Sequence, residues 1–232
     1  MKRRIAIGDI HGCYKTLKNL LEEQLKITPE DHIYFVGDFI DRGPCSREVI
    51  DYLIDLQWQN FQIFPLRGNH EEMFLKAIED EKYIHAWYNN GAEETLKSFD
   101  VPESLLFEYD GIKLIPEKYL RFISSLPYYF KLEDYIIVHA GINFQRDDIF
   151  EDKEAMVWQR EGLYDKDKAE GKKVIHGHTP KPSVILEKNL KDKAATLINI
   201  DSGCVYKELP GYGNLTAYDL DSGKYFFQEN ID

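Results

Sequence analysis

Short runs of β-branched and aromatic residues recur along the chain, and each run ends abruptly in a polar cluster with glycine beside it. Six such runs occupy residues 5–7, 33–36, 61–66, 135–138, 174–175 and 196–200. Continuous apolar runs of this kind are typical of buried strands. The pattern therefore predicts six strands that carry polar side chains just beyond their carboxyl ends.

Amphipathic stretches separate the first three runs. Residues 14–26, 46–56 and 71–81 each place apolar side chains on one helical face, and Ser46 is a suitable N-cap for the second helix. The polar clusters follow one another at intervals of about 30 residues, the length of a βαβ unit. Such units give parallel strands whose carboxyl ends share one sheet edge, where α/β sheets bind ligands. We therefore expect the polar clusters to meet in space.

The rest of the chain shows other patterns. Strand-like runs joined by turns in the C-terminal third predict an antiparallel or mixed sheet, at 183–187, 196–200, 215–220 and 224–228. Residues 83–134 predict a largely helical region, and 143–173 predict a charged loop or cap with some helix around 155–160. No repeat or linker divides the sequence, so we predict one domain over residues 1–232.

Composition and charge exclude several classes of protein. The 232-residue chain is 43% hydrophobic and 30% charged, which is unlike a disordered protein. No run approaches the ~18 uninterrupted apolar residues of a membrane-spanning helix, so we expect a cytoplasmic protein without membrane contacts. Its formal net charge of −12 disfavours non-specific binding of nucleic acid. An anionic substrate therefore needs a local cationic site.

Histidine and glycine are concentrated at the ends of the predicted strands. Five of the seven histidines directly follow an apolar run: His11, His70, His139, His176 and His178. Eight of the fifteen glycines flank the same clusters. Glycine lets a backbone turn sharply and approach a ligand closely. These positions therefore predict a ligand site assembled from strand ends.

Aspartate, histidine and asparagine at strand ends favour divalent metals with mixed oxygen and nitrogen ligands. Asp9 and His11, two positions apart on an extended segment, point the same way and can share one metal. Asp38 has an oxygen to spare and could bridge to a second metal. The candidates that would complete this second site are Asn69, His139 and one of His176 and His178. Two metals ~3.5–4 Å apart can clamp a phosphate and generate hydroxide at neutral pH.

Arginines and a further histidine complete the candidate site. Phosphate oxygens could be bound by Arg42, Arg67, Arg160 and Asn69, of which the arginines offer bidentate donors. His70 is better placed to protonate a leaving oxygen than to bind metal, and Asp41 could orient it and raise its pKa. The residues therefore predict hydrolysis of a phosphate ester or anhydride.

Five ordered motifs carry a family resemblance: GDIHG at 8–12, GDFIDRG at 37–43, RGNHE at 67–71, HAG at 139–141 and GHT at 177–179. They resemble the motif set of the phosphoprotein phosphatase family, in the calcineurin-like metallophosphoesterase superfamily. The closest resemblance is to small bacterial and phage members, which include Ser/Thr protein phosphatases and diadenosine tetraphosphate hydrolases. The motifs span about three quarters of the chain.

The resemblance implies a fold and a set of site residues. The implied fold is an α/β sandwich of two mixed sheets flanked by helices, in four layers. The implied metal ligands are Asp9 and His11 for one ion, Asp38 as the bridge, and Asn69, His139 and His178 for the other. The implied general acid is His70 paired with Asp41, and Arg42, Arg67 and Arg160 would bind phosphate. The segment 87–91 resembles a helical element over the active site.

The resemblance also implies an activity. We expect a Ser/Thr protein phosphatase that holds two divalent metal ions and attacks phosphorus in line with metal-bound hydroxide. Mn²⁺ is the ion expected in vitro, and Fe or Zn would also suit the site. The substrate would be a phosphorylated protein or a small phosphorylated or nucleotide compound. The alternatives are a symmetrical dinucleoside tetraphosphate (Ap4A) hydrolase and, from another class, a non-catalytic metal-bound scaffold.

Overall fold

Two β-sheets form the centre of the molecule, described here from a computed structural model that covers residues 2–160 and 162–232. Sheet A has the strand order β3-β2-β1-β8-β9, and sheet B has the order β4-β5-β6-β7. The strands are β1 Arg4–Ile7, β2 His32–Phe35, β3 Gln62–Pro65, β4 Tyr129–Lys131, β5 Tyr135–Val138, β6 Lys173–His176, β7 Leu197–Asn199, β8 Asn214–Asp219 and β9 Tyr225–Glu229. All six strands predicted from the apolar runs are present.

Both sheets are mixed, and their parallel parts come from the predicted βαβ units. Strands β1, β2 and β3 pair in parallel, so Ile33 lies between Ile5 and Ile63 across the sheet. Strands β8 and β9, which the sequence predicts as part of an antiparallel or mixed sheet, form an antiparallel hairpin, and β8 also runs antiparallel to β1. In sheet B, β5, β6 and β7 are parallel and β4 is antiparallel. The carboxyl ends of the parallel strands therefore lie together along a sheet edge.

Helices flank the sheets, as predicted. Within the described residues they are α1 Tyr14–Asn19, α2 Ser46–Trp58, α3 Asn69–Glu79, α4 Ile84–Tyr88, α5 Ala92–Ser98, α6 Tyr109–Ile112, α7 Glu117–Ser125, α8 Lys153–Trp158 and α9 Ser183–Lys191. A π-helical turn, Leu20–Gln24, continues α1. The expected architecture, two mixed sheets with helices on their outer sides, is confirmed. None of the helices in the described part of the chain is long and apolar enough to cross a membrane.

The period-two alternation of the strands divides the core. In β1, Ile5 and Ile7 pack under the helices of sheet A, whereas Ala6 faces the second sheet. In sheet B, Ile175 faces sheet A, and Val174 faces outward under the 143–173 segment. Apolar packing therefore covers both faces of each sheet, and the polar residues beyond the strand ends are left to form the site.

The run at 183–187 was wrongly predicted as a strand, since it begins helix α9. Val184 and Ile185 are exposed, while Leu186 and Leu190 are buried four positions apart on one helical face. A short apolar run has no period that separates a strand from a helix. Pro182 at the N-cap position fits the start of a helix.

Candidate metal centre

The loops beyond the carboxyl ends of both sheets meet at one place. The backbone N–H of His178, beyond β6, donates to Asp9 Oδ2, beyond β1, over 3.0 Å. Gly177 permits this approach, because a Cβ at that position would overlap Asp9 Oδ1. The N–H of His70, in the first turn of α3, donates to Asp38 Oδ1 over 3.1 Å. Polar clusters far apart in sequence are therefore in contact, as expected.

One group of side chains directs lone pairs at a single point. His139 Nε2 lies 2.9 Å from Asn69 Oδ1, 3.2 Å from His178 Nδ1 and 3.5 Å from Asp38 Oδ2. The Nδ1–H of His139 donates to the carbonyl of Val36, so Nε2 keeps its lone pair. Burial lowers the pKa of His139 and lowers that of His178 to about 3, which disfavours a second proton on either ring. Facing lone pairs repel unless a cation neutralises them, and the group therefore fits a metal ion.

A second group contains His11, Asp38 and His70, whose candidate ligand atoms lie within 4.8 Å of one another. His11 donates its Nδ1–H to the carbonyl of Ile40, and its Nε2 lies 3.5 Å from Asp38 Oδ2. Burial opposes ionisation of Asp38, but His139, His70 and His11 lower its pKa below the ordinary range. The Oδ2 atom of Asp38 is therefore shared by both groups, as a bridging ligand would be.

Asp9 is buried beside these groups with one oxygen uncommitted. Burial, with Asp201 and Asp38 nearby, raises the pKa of Asp9 well above its usual value. Its Oδ1 has no hydrogen-bond partner among the described residues, and neither do His70 Nε2 and His178 Nε2. A buried polar atom without a partner is costly, so three such atoms on side chains that border the two groups indicate that a ligand binds there. The sequence predicts that Asp9 and His11 share one metal with Asp38, whereas the second group in the structure contains His70 together with His11 and Asp38.

His70 is fully buried, and its Nδ1 lies 2.7 Å from Asp41 Oδ2, the pairing that the sequence predicts. Burial opposes a charge on the ring, but Asp38 and Asp41 together raise the pKa of His70. The carboxylate of Asp41 also accepts hydrogen bonds from Trp87 Nε1 over 2.9 Å and from Thr95 Oγ1 over 2.6 Å. The ring of His70 is therefore fixed by Asp41, whose carboxylate is itself held by Trp87 and Thr95.

Two predicted phosphate-binding arginines lie beside the two groups. Arg42 Nη1 is 2.7 Å from His11 Nε2, and its guanidinium lies over the ring of Tyr206 at 5.7 Å. Arg160 is exposed, and its charge contributes, after burial and His139, to the lowered pKa of His178. Cationic groups therefore lie beside His11 and near His178, as an anionic substrate requires.

Arg67, the third arginine, is engaged elsewhere. Its Nη1 donates to Tyr128 Oη over 3.0 Å and to Glu72 Oε2 over 3.2 Å, and its Nη2 donates to the Ser124 carbonyl. The guanidinium also stacks on the Tyr128 ring at 4.8 Å. Phosphate binding by Arg67 would require it to leave these partners, so that role stays a prediction.

His178 and His176 were alternatives for the second metal, and their surroundings differ. His178 contacts Asn69 and His139 in the first group. His176 Nδ1 lies 3.2 Å from the Gly177 carbonyl, in a pocket that Arg160 also lines. The geometry favours His178.

A sequence model of the calcineurin-like phosphoesterase family matches residues 2–206. The chain belongs to this family. It is a metal-dependent phosphoesterase, and the resemblance carried by the motifs is confirmed.

Relatives of this phosphoesterase include dinucleoside polyphosphate hydrolases. An asymmetrical bis(5'-nucleosyl)-tetraphosphatase from Oceanobacillus iheyensis is 30% identical over 240 residues, covering 91% of this chain and 86% of the relative. Its counterpart from Bacillus cereus is 27% identical and covers 86% of this chain and 85% of the relative. A symmetrical bis(5'-nucleosyl)-tetraphosphatase from Buchnera aphidicola is 34% identical, but the match covers only 61% of this chain and 45% of the relative.

Solved structures share the fold. A provisionally named diadenosine tetraphosphatase has a TM-score of 0.63 and 22% identity, with 100% of this chain and 95% of that chain covered. A Ser/Thr protein phosphatase from Saccharomyces cerevisiae has a TM-score of 0.62 and 17% identity, covering 100% and 81%. These likenesses show the phosphoesterase fold.

Two residues of the phosphoesterase site escaped the sequence analysis. Thr95 was not singled out, and Ser46 was wrongly predicted as an N-cap, since Cys45 occupies that position. The Ser46 hydroxyl instead accepts the N–H of Asp41 over 3.1 Å and lies 3.0 Å from Thr95 Oγ1. Ser46 does lie just beyond the GDFIDRG motif, which is the one signal that could have suggested this contact.

Proposed function

We propose that this phosphoesterase hydrolyses dinucleoside polyphosphates, and that it cuts them asymmetrically. The observation that carries the proposal is the extent of the matches. Asymmetrical enzymes from Bacillus cereus, Bacillus thuringiensis and Oceanobacillus iheyensis are matched along 85–87% of their length. The match to an asymmetrical enzyme from Anoxybacillus flavithermus covers 56% of that protein, and the match to the symmetrical Buchnera enzyme covers 45%. A match over most of the length supports a similar mode of substrate binding. The proposal therefore differs from the Ser/Thr protein phosphatase expected from sequence and, in where the substrate is cut, from the symmetrical hydrolase given as its alternative.

In this proposal the two groups of side chains hold two divalent metal ions. The ligands would be Asp9 and His11 for one ion, Asn69, His139 and His178 for the other, and Asp38 for both. The shared position of Asp38 Oδ2 and the orphaned Oδ1 of Asp9 support this set. When bound, two such ions supply Lewis acidity and lower the pKa of water towards neutrality. We expect Mn²⁺ to support activity in vitro, with Fe or Zn also suited to the mixed ligands.

His70 would protonate the oxygen that leaves phosphorus. Its Nδ1–H is held by Asp41, so the Nε2 atom is the one directed at the substrate. Asp38 and Asp41 raise the pKa of His70, which favours the protonated ring that a general acid requires. Arg42, which lies beside His11, and Arg160, which lies near His178, would each bind phosphate oxygens.

A second candidate is a phosphomonoesterase acting on phosphoserine or phosphothreonine in proteins. The fold likeness to the yeast Ser/Thr protein phosphatase and the ordered motifs favour it. A non-catalytic scaffold is disfavoured, because a binding protein has no need of the buried pair of His70 and Asp41.

One assay separates the candidates. The purified protein with Mn²⁺ is given diadenosine tetraphosphate and a phosphothreonine peptide, and the products are followed by chromatography. ATP with AMP is the expected outcome, and two ADP would instead make the cut symmetrical. Free phosphate from the peptide with the dinucleotide intact would support the protein phosphatase. Absence of every product with Mn²⁺, Fe²⁺ and Zn²⁺ would overturn both enzymatic candidates.

A further inference from the structure

The turn that carries Asp41 and Arg42 has an unfavourable backbone. Asp41 has φ 71° and Arg42 has φ 69°, both in the left-handed region that side chains with a Cβ rarely adopt. Such a conformation persists only where the surrounding structure holds it. The residues that hold this turn therefore also set the geometry of the His70–Asp41 pair.

Thr95, in α5, holds Asp41 at two points. Its Oγ1 accepts the backbone N–H of Asp41 over 2.8 Å and donates its own proton to Asp41 Oδ1 over 2.6 Å. Ser46 Oγ lies 3.0 Å from the same hydroxyl. Thr95 is 1% exposed and Asp41 is 0% exposed, so water does not replace these bonds. The Thr95 hydroxyl therefore bonds both the carboxylate and the strained backbone, whose N–H it shares with Ser46.

Trp87, in α4, holds the other oxygen. Its Nε1–H donates to Asp41 Oδ2 over 2.9 Å, the same atom that accepts from His70 Nδ1 over 2.7 Å. Between α4 and α5, the Gly91 carbonyl accepts the N–H of Arg42 over 3.0 Å. Gly91 has φ 101°, and a Cβ there would lie 2.8 Å from the nitrogen of Arg42, so glycine is required.

We propose that Trp87 and Thr95 are positioning residues for the general acid. Residues 84–98, here called the bracing segment, hold the Asp41–Arg42 turn so that the ring of His70 is directed at the leaving oxygen. Without these bonds the carboxylate of Asp41 can rotate, and proton transfer loses its alignment. The inference rests on the proposed function, in which His70 is the acid.

The test uses leaving groups that differ in their need for a proton. Wild-type protein and variants, loaded with Mn²⁺, are given the p-nitrophenyl and the phenyl esters of phosphate and of AMP. Phenol leaves as a more basic oxygen than p-nitrophenol, so its departure depends more on the acid. We expect Thr95→Val and Trp87→Phe to lower kcat on the phenyl ester about tenfold or more, and on the p-nitrophenyl ester less than threefold. Thr95→Ser keeps the hydroxyl and should restore the wild-type ratio.

Matched controls separate positioning from general damage. Thr16→Val removes another buried hydroxyl that bonds a carboxylate, that of Asp232, and Trp58→Phe changes an exposed tryptophan. Neither should alter the ratio of the two esters. Equal losses on both esters in Thr95→Val and Trp87→Phe, or no loss at all, would overturn the inference.

The variant His70→Asn distinguishes this inference from the proposed function. If His70→Asn selectively loses the phenyl ester while Thr95→Val and Trp87→Phe do not, the acid is correct and the positioning role is wrong. If His70→Asn shows no selectivity, the assignment of the acid itself fails.

Discussion

On the sheet A side of the site, His11, Asp41 and His70 are at most 3% exposed, whereas on the sheet B side Arg160 is exposed and His178 is only partly buried. The sheet A side is fixed by buried hydrogen bonds, including three from side chains to the carboxylate of Asp41. The sheet B side borders the 143–173 segment, and a pocket beside Arg160 opens there.

The two sides also differ in how the chain assembles them. His70 and Asp41 are 29 positions apart and come from neighbouring βα units. His139 meets Asn69 across 70 positions, and His178 meets Asp9 across 169. Elements close in sequence thus carry the pair of His70 and Asp41, whereas the group around His139 and His178 joins distant parts of the chain. Under the proposed function, proton transfer would depend on the sheet A side, which holds His70, and substrate binding would depend more on the sheet B side, which holds Arg160.

The largest effect should come from the residue that belongs to both sides. Asp38→Asn removes the charge shared by the two groups, so we expect kcat to fall roughly a thousandfold, since several kcal/mol of charge stabilisation is lost and 1.36 kcal/mol is tenfold. Bound metal should fall as well. The measurements are steady-state kinetics and metal analysis of the purified protein. The exposed carboxylate of Asp110 offers a control, and Asp110→Asn should retain both metal and activity.

A variant on the sheet A side should change the pH dependence of the reaction. Asp41→Asn removes one of the two carboxylates that raise the pKa of His70. A general acid acts while protonated, so activity is present below its pKa and is lost as pH rises through it. We therefore expect a kcat about a hundredfold lower, and an alkaline limb that begins at lower pH than in the wild type. A pH–rate profile for Asp41→Asn with an unshifted alkaline limb would contradict the assignment.

The sequence predicts the layout of the fold because each strand of the parallel parts is a buried run followed by a polar cluster. It fails at α9, where Val184–Leu186 is too short to show a period and the burial of Leu186 and Leu190 decides the outcome. It also fails at Ser46, because its hydroxyl contacts Asp41 and not its own helix. Tertiary contacts of this kind leave no local pattern.

The candidate ligands were predicted because they follow strand ends, where topology brings them together. Thr95 does not follow a strand end and lies in no motif. It is 54 positions from Asp41, on the buried side of helix α5. Arg67 is in a motif, yet Glu72 and Tyr128 engage its guanidinium. Motifs thus indicate which residues gather, and the packing around them determines how each side chain points.

The two arginines offer a direct comparison of the sides. Arg42 belongs to a turn held by the Gly91 carbonyl, so it is ordered before substrate binds. We expect Arg42→Ala to lower kcat about tenfold, because a guanidinium that is already held in place can donate charge-assisted hydrogen bonds to the transition state. Arg160 is exposed, and Arg160→Ala should raise KM about fivefold with little change in kcat. A kcat loss in Arg160→Ala equal to that in Arg42→Ala would remove the distinction between the sides.

The smallest effects on activity should come from two buried methionines, one on helix α3 of the sheet A side and one on helix α8 of the sheet B side. Met73 is 7% exposed on α3, the helix that begins with Asn69 and His70, and Met156 is 0% exposed on α8. Truncation to alanine costs about 2–5 kcal/mol of stability at such positions, so both variants should melt at lower temperature. The carbonyl of Met156 accepts the N–H of Ala140, beside His139, and α8 leads to Arg160.

Under the proposed function, a cavity under α3 would loosen the general acid His70, and a cavity under α8 would loosen the substrate contact of Arg160. We therefore expect Met73→Ala to lower kcat and Met156→Ala to raise KM, each less than about fivefold, since the ligands themselves remain. Thermal melting and steady-state kinetics on the same preparations separate stability from catalysis. The same change of kcat and KM in both variants would mean that the two sides form one rigid unit and cannot be changed independently.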